Sequence, residues 1–255
     1  MKIYVVTHKD FNKPQLPTIY STLQVGAEIN NKLSNIDEYD NTYENISEKN
    51  LVYNEMTGAY WIWKNSNEDI VGLCHYRRYF VKFYGLISRF LFNKQCGFVD
   101  EKWIKKKLKH YDAVVHKVTY FPDGTNFEQS KVRVKNGDDL MLVREVLQDN
   151  YPEYIDAFDS VMNSKTAHLF NMIITKKEIY NAYCEWVFAV LYEVEKRMLD
   201  AEETEFSRRM GMLAERLQDV WLKKNNIKIK SCWVIHSEKK TFEFYAKLKY
   251  KGDNL

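Results

Sequence analysis

The stretch of chain from Asn45 to Phe80 limits the fold of this protein more than any other part of its sequence. Ser47 resembles a helix N-cap and predicts a helix over residues 48–64, which a polar turn at residues 67–69 ends. An apolar strand at residues 70–73 follows and leads into a cluster of cations and aromatic rings: His75, Tyr76, Arg77, Arg78 and Tyr79. A helix followed by such a strand is typical of an α/β domain.

The cluster after this strand predicts a ligand site for an anion. In open α/β sheets, ligands bind outside the carboxyl ends of the strands, which is where the cluster lies. Two arginines beside a histidine supply charge-assisted donors that suit phosphate oxygens. Taken singly, each residue has a plainer explanation. Arginine pairs are common on surfaces, and tryptophan and tyrosine at helical spacing usually belong to a core.

Composition places the chain among ordinary globular proteins. Its 255 residues suffice to bury a full core, and 45% hydrophobic with 29% charged residues is a usual balance. The net charge of +3 is too small to indicate nucleic acid, so we expect no nucleic-acid partner. The 18 tyrosines and 6 tryptophans suit stacking on sugars or bases, although such rings also fill cores.

Cysteine spacing and hydropathy predict the cellular compartment in which the protein is found. The four cysteines are far apart and form no C-x-x-C pair, so zinc and redox motifs are unsupported and reduced thiols are expected. The chain begins with a strand instead of a signal-peptide pattern, and no apolar run approaches the roughly 20 residues that span a bilayer. We therefore expect a cytoplasmic protein, at most peripheral at the inner face of the plasma membrane.

The other segments predict alternating strands and helices. A strand at residues 3–7 precedes polar residues without a G-x-G-x-x-G or P-loop motif, and residues 23–27 suggest a short strand or turn. Residues 30–43 and 127–136 are polar and predict loops. Further strands are expected at 111–115, 168–174 and within 227–249, and helices at 99–110, 138–148, 151–162, 176–198 and 208–224.

Several blocks of the sequence resemble a bacterial family of capsular and exopolysaccharide glycosyltransferases, long known as a domain of unknown function. The resemblance runs from Lys2 to about Trp221, and HYRRYF together with AERL is its most specific part. The blocks are NISEKN (45–50), EMTG (55–58), YWIWKN (60–65), GLCHYRRYF (72–80), FNM (170–172), YCEW (183–186) and GMLAERL (211–217).

The resemblance implies a GT-A-like (Rossmann-like) α/β fold, with a single central sheet flanked by helices and a helical C-terminal part. We then expect one domain, 1–255, whose residues up to about 125 bind a nucleotide sugar and whose residues 126–255 form the acceptor side. The implied reaction transfers a sugar from a nucleotide-diphosphate donor to a saccharide acceptor. UDP is the expected nucleotide, galactofuranose is one option for the sugar, and inversion is the expected stereochemistry.

A GT-A enzyme usually holds the donor diphosphate through a metal bound at a D-x-D motif, and this sequence contains none. Our hypothesis is that Arg77 and Arg78, together with His75, replace the metal and neutralise the leaving diphosphate. A metal-independent enzyme is therefore favoured. The alternative keeps Mg²⁺ or Mn²⁺ on Glu68 and Asp69, although these residues precede the strand and so belong to the opposite edge of the sheet.

Inverting transfer needs a carboxylate that takes the proton of the acceptor hydroxyl. We rank Glu215 and Glu185 before Glu55, which is otherwise a contact of the donor sugar or a surface group. A structural ion pair between Glu215 and Arg216 is the plainer alternative. Asn171 is expected to contact a sugar hydroxyl, unless it only stabilises a turn.

The remaining donor contacts follow from position in such a fold. The end of the first strand and the segment after the second are where the base and ribose are held. The donor-binding set is therefore Thr7, His8, Gly26, Glu55, His75, Tyr76, Tyr79, Asn171 and Arg216.

Two interactions and one alternative function remain open. The acceptor in such pathways is usually lipid-linked, so the apolar and lysine-rich region Tyr84–His110 is a candidate for contact with a membrane surface, although most lysine-rich helices are only solvated. Exposed aromatic residues in the long helices would permit a homodimer. The alternative function is a non-catalytic module that binds a saccharide or a partner in a polysaccharide assembly complex.

Overall fold

The computed structural model describes residues 1–133, 139–201 and 207–239, and within them the chain is a mixed α/β structure built on one large sheet. The strands are β1 (Lys2–Thr7), β2 (Tyr20–Gln24), β3 (Glu38–Tyr39), β4 (Ile70–His75), β5 (Arg78–Val81), β6 (Ala113–His116), β7 (Thr119–Tyr120), β8 (Thr166–Ala167), β9 (Ile173–Lys176) and β10 (Ile229–His236).

The helices follow the same chain order and cover the sheet. They are α1 (Asn50–Tyr53), α2 (Met56–Asn65), α3 (Phe83–Phe92), α4 (Glu101–Lys107), α5 (Asn126–Arg133), α6 (Asp139–Asn150), α7 (Ile155–Met162), α8 (Lys177–Asp200) and α9 (Arg209–Lys224). Two short 3₁₀ turns, Ser47–Lys49 and Pro152–Tyr154, lead into α1 and α7.

The sheet has the strand order β3-β2-β1-β4-β5-β10-β6-β9. Strands β1, β2 and β4 run parallel, and Val6 of β1 pairs with His75 of β4, so these two strands end at one edge. Strand β4 also pairs with β9, and this pairing closes β4, β5, β10, β6 and β9 into a small ring. The expected central sheet with flanking helices is therefore confirmed, whereas the expected open form of the sheet is wrong over these five strands.

The core lies on both sides of the sheet. In β1, Tyr4 and Val6 face the cluster packed under α2, α8 and α9, while Ile3 and Val5 face the cluster near β5, β10 and α4. Both faces of β1 are thus buried, which is why its sequence is a continuous apolar run and not an alternating one.

Several predicted elements differ from the structure. The single helix predicted over 48–64 is broken at Asn54, whose φ of 50° is left-handed, and Ser47 is not a cap, because its hydroxyl bonds Asp40 instead. The predicted strand at 168–174 forms only from Ile173 onward. The predicted loop at 127–136 is helix α5 up to Arg133, and the rest of that loop and the tail beyond residue 239 lie outside the described residues.

Two further properties concern the cysteines and the membrane. The cysteines Cys74, Cys96, Cys184 and Cys232 form no disulfide. Within residues 1–133, 139–201 and 207–239, no helix combines the length and apolarity needed to cross a bilayer.

Candidate functional site

A pocket of about 650 Å³ opens at the edge of the sheet where β1 and β4 end. Helix α1, the break that follows it and the start of α9 form its other walls. Eight of the residues proposed from the sequence line it together: Thr7, His8, Glu55, His75, Tyr76, Arg77, Arg78 and Glu215. Residues from four separate parts of the chain thus meet at one concave surface, the usual form of a ligand site.

A tight hairpin delivers the two arginines to this pocket. The last residue of β4, His75, pairs with Arg78 at the start of β5, so that only Tyr76 and Arg77 form the turn. The Tyr76 amide donates to the carbonyl of Val6 at 3.0 Å, and the Tyr79 hydroxyl donates to the Tyr76 carbonyl at 2.7 Å. The arginines therefore sit on a turn whose backbone is fixed.

Basic groups dominate the charge of the pocket. Arg77, Arg78, Lys9 and Arg208 line it, against the carboxylates of Glu55 and Glu215. Burial and the neighbouring Arg77 lower the pKa of Arg78 to about 10. The Arg78 guanidinium lies 4.1 Å from the ring centre of Phe170, and in the described part of the chain its buried Nε has no hydrogen-bond partner. Such a site favours an anion with several acceptor oxygens.

His75 plays a different part from the one predicted. Burial and the nearby Arg78 lower its pKa to about 3, so the ring is neutral at physiological pH. Its Nε2 lies 2.6 Å from the carbonyl oxygen of Phe170 and must donate to it, which fixes the tautomer. His75 therefore adds no positive charge for a diphosphate, and it positions the Phe170 loop.

Three carboxylates hold the loop from His168 to Asn171. Asp219 accepts the backbone amide of His168 at 2.8 Å and its ring Nδ1 at 2.7 Å. Glu215 accepts the amide of Phe170 at 3.0 Å, and Glu55 accepts the side-chain amide of Asn171 at 2.8 Å.

The loop needs this support because its backbone is strained. Phe170 and Asn171 have φ values of 77° and 51°, which are unfavourable for residues with a side chain. Asn54 and Arg208, with φ values of 50° and 65°, add two more left-handed residues at the same pocket. Strained residues of this kind persist where the surrounding structure fixes them, and they cluster at functional sites.

The two pocket glutamates differ in their surroundings. Burial raises the pKa of Glu55, which directly follows the break at Asn54 and so faces the pocket from the start of α2. Glu215 has both oxygens engaged, one by the Phe170 amide and the other by Arg216 at 3.0 Å. Because its pKa is raised, Glu55 binds a proton at higher pH than an ordinary glutamate does.

Five proposed site residues lie outside the pocket lining, and of these Asn171 contacts a lining carboxylate, that of Glu55. Glu185 is on the exposed face of α8 and outside the pocket lining, because the buried face of that helix is taken by Tyr183, Cys184 and Trp186. Tyr79 is fully buried in the core below the hairpin.

Gly26 and Arg216 have structural surroundings. The Gly26 amide donates to the buried carboxylate of Asp40 at 2.9 Å, and its φ of 66° suits a glycine. Arg216 is buried and donates to Glu215 and, at 3.1 Å, to Ser130. The structural pair that was the alternative for Glu215 and Arg216 is therefore present, although Glu215 still lines the pocket. Thr7 also lines it, but its hydroxyl is bonded to the carbonyl of Lys9 at 2.6 Å.

Sequence reasoning missed several residues of the site. Asp40, within the predicted loop, accepts the amides of Gly26 and Ala27 and the hydroxyls of Ser47 and Thr57, and it thereby fixes the wall after β2. Lys9, Arg208 and Asp219 belong to no motif. The available signal for Lys9 was its place two residues after the end of β1, where ligand contacts are expected.

The donor set of the pocket does not suit a divalent metal. Hard cations such as Mg²⁺ typically take six or more oxygen ligands. The pocket offers two carboxylates, and each of them already accepts an N–H hydrogen bond. Four basic side chains line the same pocket and would repel a cation. In the described ranges, no group of three or more His, Cys, Asp or Glu side chains is placed to hold a metal ion. Glu68 pairs with the amino group of Met1 at the opposite edge of the sheet.

The fold defines an α/β protein similar to a solved glycosyltransferase. The WbbM bifunctional glycosyltransferase, in its apo structure, matches with a TM-score of 0.78 and 24% sequence identity. The match covers 94% of this chain and 45% of that chain, so the protein spans less than half the length of its structural neighbour.

Residues 2–226 match the family model described as domain of unknown function DUF4422, and the chain belongs to this family. No curated protein matches the sequence.

Proposed function

We propose that the protein is a glycosyltransferase that moves a sugar from a nucleotide-diphosphate donor to a saccharide acceptor. The observation that carries this proposal is the pocket at the carboxyl ends of β1 and β4, where four cations face two carboxylates. The similarity of the fold to a bifunctional glycosyltransferase supports the same class of reaction. A diphosphate matches this charge, and a carboxylate within the same pocket matches the need for a base.

The donor diphosphate binds in the pocket beside the two arginines of the β4–β5 hairpin. Arg77 and Arg78 donate to its oxygens, with Lys9 and Arg208 on the other walls. The base and ribose lie near the end of β1, beside Thr7 and His8, with the His8 ring available for stacking. UDP is the proposed nucleotide. The donor sugar then points toward Asn171 and Glu55, which are hydrogen-bonded to each other.

The chemical step is an inverting displacement. The acceptor hydroxyl oxygen bonds to the anomeric carbon as the bond from that carbon to the diphosphate oxygen breaks. The leaving oxygen keeps the electron pair, and its negative charge is stabilised by Arg77 and Arg78. The hydroxyl proton passes to a carboxylate, for which Glu55 is our first candidate and Glu215 the second. No metal takes part in this scheme.

The family resemblance extends the proposal to a pathway. The product is a linkage in a capsular or extracellular polysaccharide, and galactofuranose remains one option for the transferred sugar. The reaction takes place on the cytoplasmic side of the membrane, where nucleotide sugars are made, on an acceptor that can be lipid-linked. A homodimer is compatible with this arrangement.

Calorimetric titration with UDP and a panel of UDP-sugars, with and without EDTA, tests the proposal. We expect binding that survives EDTA and that weakens by roughly 10- to 100-fold in Arg78→Ala, since a lost charged hydrogen bond costs about 1.5–3 kcal/mol. Arg144→Ala is the matched control, because Arg144 pairs with Asp159 at 2.8 Å and does not line the pocket. Thermal unfolding shows whether each variant is folded.

Each other result contradicts a defined part of the proposal. If UDP binding requires Mg²⁺ or Mn²⁺, the diphosphate is held through a metal ion on carboxylates and not by the arginines alone. If Arg78→Ala and Arg144→Ala bind UDP with equal affinity, Arg78 does not contact the diphosphate. Donor binding without transfer to any saccharide acceptor would favour a non-catalytic binding module, and no nucleotide binding at all would reject the transferase.

A further inference from the structure

Helix α3 has the polarity of its two faces reversed. Of its ten residues, the buried ones are Gly85 and Arg89. Six large apolar or aromatic side chains point outward, each between 40% and 74% exposed: Phe83, Tyr84, Ile87, Phe90, Leu91 and Phe92. In water, a surface helix normally turns its apolar face to the core and its charges outward. An exposed apolar patch of this size on a protein surface marks a contact with something else.

The inner side of the helix fixes this orientation. Gly85 packs directly on the backbone of Cys96 and Gly97, so closely that a Cβ there would lie 2.5 Å from the Cys96 oxygen. The Arg89 guanidinium donates to the carbonyl oxygens of Ser237 and Lys239, both at 2.9 Å. Rotating the apolar face inward would remove these hydrogen bonds from a buried guanidinium, which is costly.

Positive charge is concentrated next to the same helix. Residues 82–110 contain eight Lys and Arg against two Asp and Glu, a net charge of +6 in a chain whose total is +3. Helix α4 begins beside α3, since its N-cap Asp100 is the ion-pair partner of Lys82. The exposed lysines of this region are Lys94, Lys102, Lys105, Lys106 and Lys109.

We propose that α3 is a membrane-docking helix that lies in the headgroup region of an anionic bilayer with its apolar face toward the acyl chains. Ten residues of helix are about 15 Å long, half the thickness of a bilayer core, so the helix lies on the membrane and does not cross it. An aromatic face beside lysines is the pattern of interfacial helices. The lysines of α4 attract anionic headgroups, each contributing to binding.

Charge argues against a second copy of the chain as the partner of this face. Two copies joined through α3 would bring two regions of net charge +6 together, and like charges repel. An anionic surface instead matches the apolar face and the lysines at once. The inference does not depend on the transferase proposal, because it uses none of the pocket residues.

Co-sedimentation of the full chain with lipid vesicles tests the inference. The vesicles are phosphatidylcholine alone, or two parts phosphatidylcholine to one part phosphatidylglycerol. We expect binding to the anionic vesicles that weakens with salt. Leu91→Asp is expected to lower the partition coefficient at least about tenfold, which corresponds to the transfer of one leucine side chain.

The control is Leu199→Asp in α8, because Leu199 is 57% exposed and Leu91 is 60% exposed. It is expected to bind vesicles as the unchanged protein does, and thermal unfolding establishes that both variants fold. Three results would overturn the inference. The full chain could fail to bind anionic vesicles, or Leu91→Asp and Leu199→Asp could lose vesicle binding equally. The third is a dimer formed without lipid that Leu91→Asp dissociates and Leu199→Asp does not.

Discussion

Arg78 combines burial with positive charge and a donor that is unbonded in the part of the chain that the structure describes, and an anion in the pocket would answer both. Its guanidinium lies over the Phe170 ring, and its buried Nε lacks a hydrogen-bond acceptor within the described residues. Arg77 directly precedes it in the turn, and burial together with the positive charge of Arg77 lowers the pKa of Arg78. A phosphate group would supply the missing acceptor and relieve the repulsion. The pocket is thus suited to a negatively charged group.

The first prediction concerns Glu55 as the base. Burial raises its pKa, so the carboxylate needed to accept a proton forms at higher pH than in an ordinary glutamate. Turnover is therefore expected to fall as pH falls through that raised pKa. Glu55→Gln removes this acid limb and lowers kcat by about 10²- to 10⁴-fold. The pH profile of kcat for each variant is the measurement.

Glu185→Gln is the control for this experiment, since Glu185 lies on the exposed face of α8. Its pH profile is expected to match that of the unchanged protein. If Glu55→Gln keeps the acid limb and Glu215→Gln loses it, the base is Glu215.

Helix α9 organises the site at the level of elements. One of its faces presents the carbonyl of Gly211 to Asn171 at 3.1 Å, the carboxylate of Glu215 to Phe170, and the carboxylate of Asp219 to His168. The helix also packs against the break between α1 and α2, next to Glu55, which is the N-cap residue of α2. The position of α9 therefore determines where the loop at residues 168–171 lies, and this loop forms part of the pocket wall.

The second prediction is that Gly211→Ala destabilises the protein, although alanine is the better helix former by about 1 kcal/mol. A Cβ on Gly211 would lie 2.9 Å from the backbone oxygen of Tyr53, so α9 would have to move away from α1. We expect a loss of about 1–3 kcal/mol in the free energy of unfolding, as for other overpacked sites.

Urea unfolding measures this loss, and donor binding is expected to weaken with it because Glu215 and Asn171 shift. Gly124→Ala is the control, since the atoms nearest to its Cβ belong to the side chain of Glu128 and not to the backbone of another element. A stabilised Gly211→Ala protein would show that α9 does not need this close approach.

The whole molecule carries three histidines that fold in the neutral form. Burial lowers the pKa of His75, His116 and His236 to about 3 each. In the unfolded chain each has an ordinary pKa of about 6.5. Between about pH 6.5 and pH 3, the unfolded chain therefore binds protons that the folded chain does not, and stability falls as the pH falls.

The third prediction is acid-sensitive stability. The free energy of unfolding is expected to drop by up to about 1.4 kcal/mol per pH unit for each histidine as pH falls below about 6.5. Urea titrations at several pH values measure the slope. His116→Gln should reduce the slope, while His110→Gln, at an exposed position, should leave it unchanged. Identical slopes for both variants would assign the acid sensitivity to other groups.

Much of the order of elements and part of the site follow from local pattern. The strands at β1 and β4 and the long helices α8 and α9 are where apolar runs and helical spacing placed them. The hairpin residues reach the pocket because they directly follow β4. The break at Asn54, by contrast, is not marked by the periodicity of the surrounding residues, and it lies where the chain packs closely against Gly211 of α9.

The sequence alone determined that a strand ends in a cluster of arginines, and that such an end is a place for an anion. Local residue order is enough for this, because the side chains and the strand are adjacent in the chain. Only the tertiary structure decided that Glu55, Asn171 and Glu215 meet there while Glu185 faces solvent. These contacts join residues that are distant in sequence, so they depend on how α9 and the loop at 168–171 pack, which no periodicity encodes.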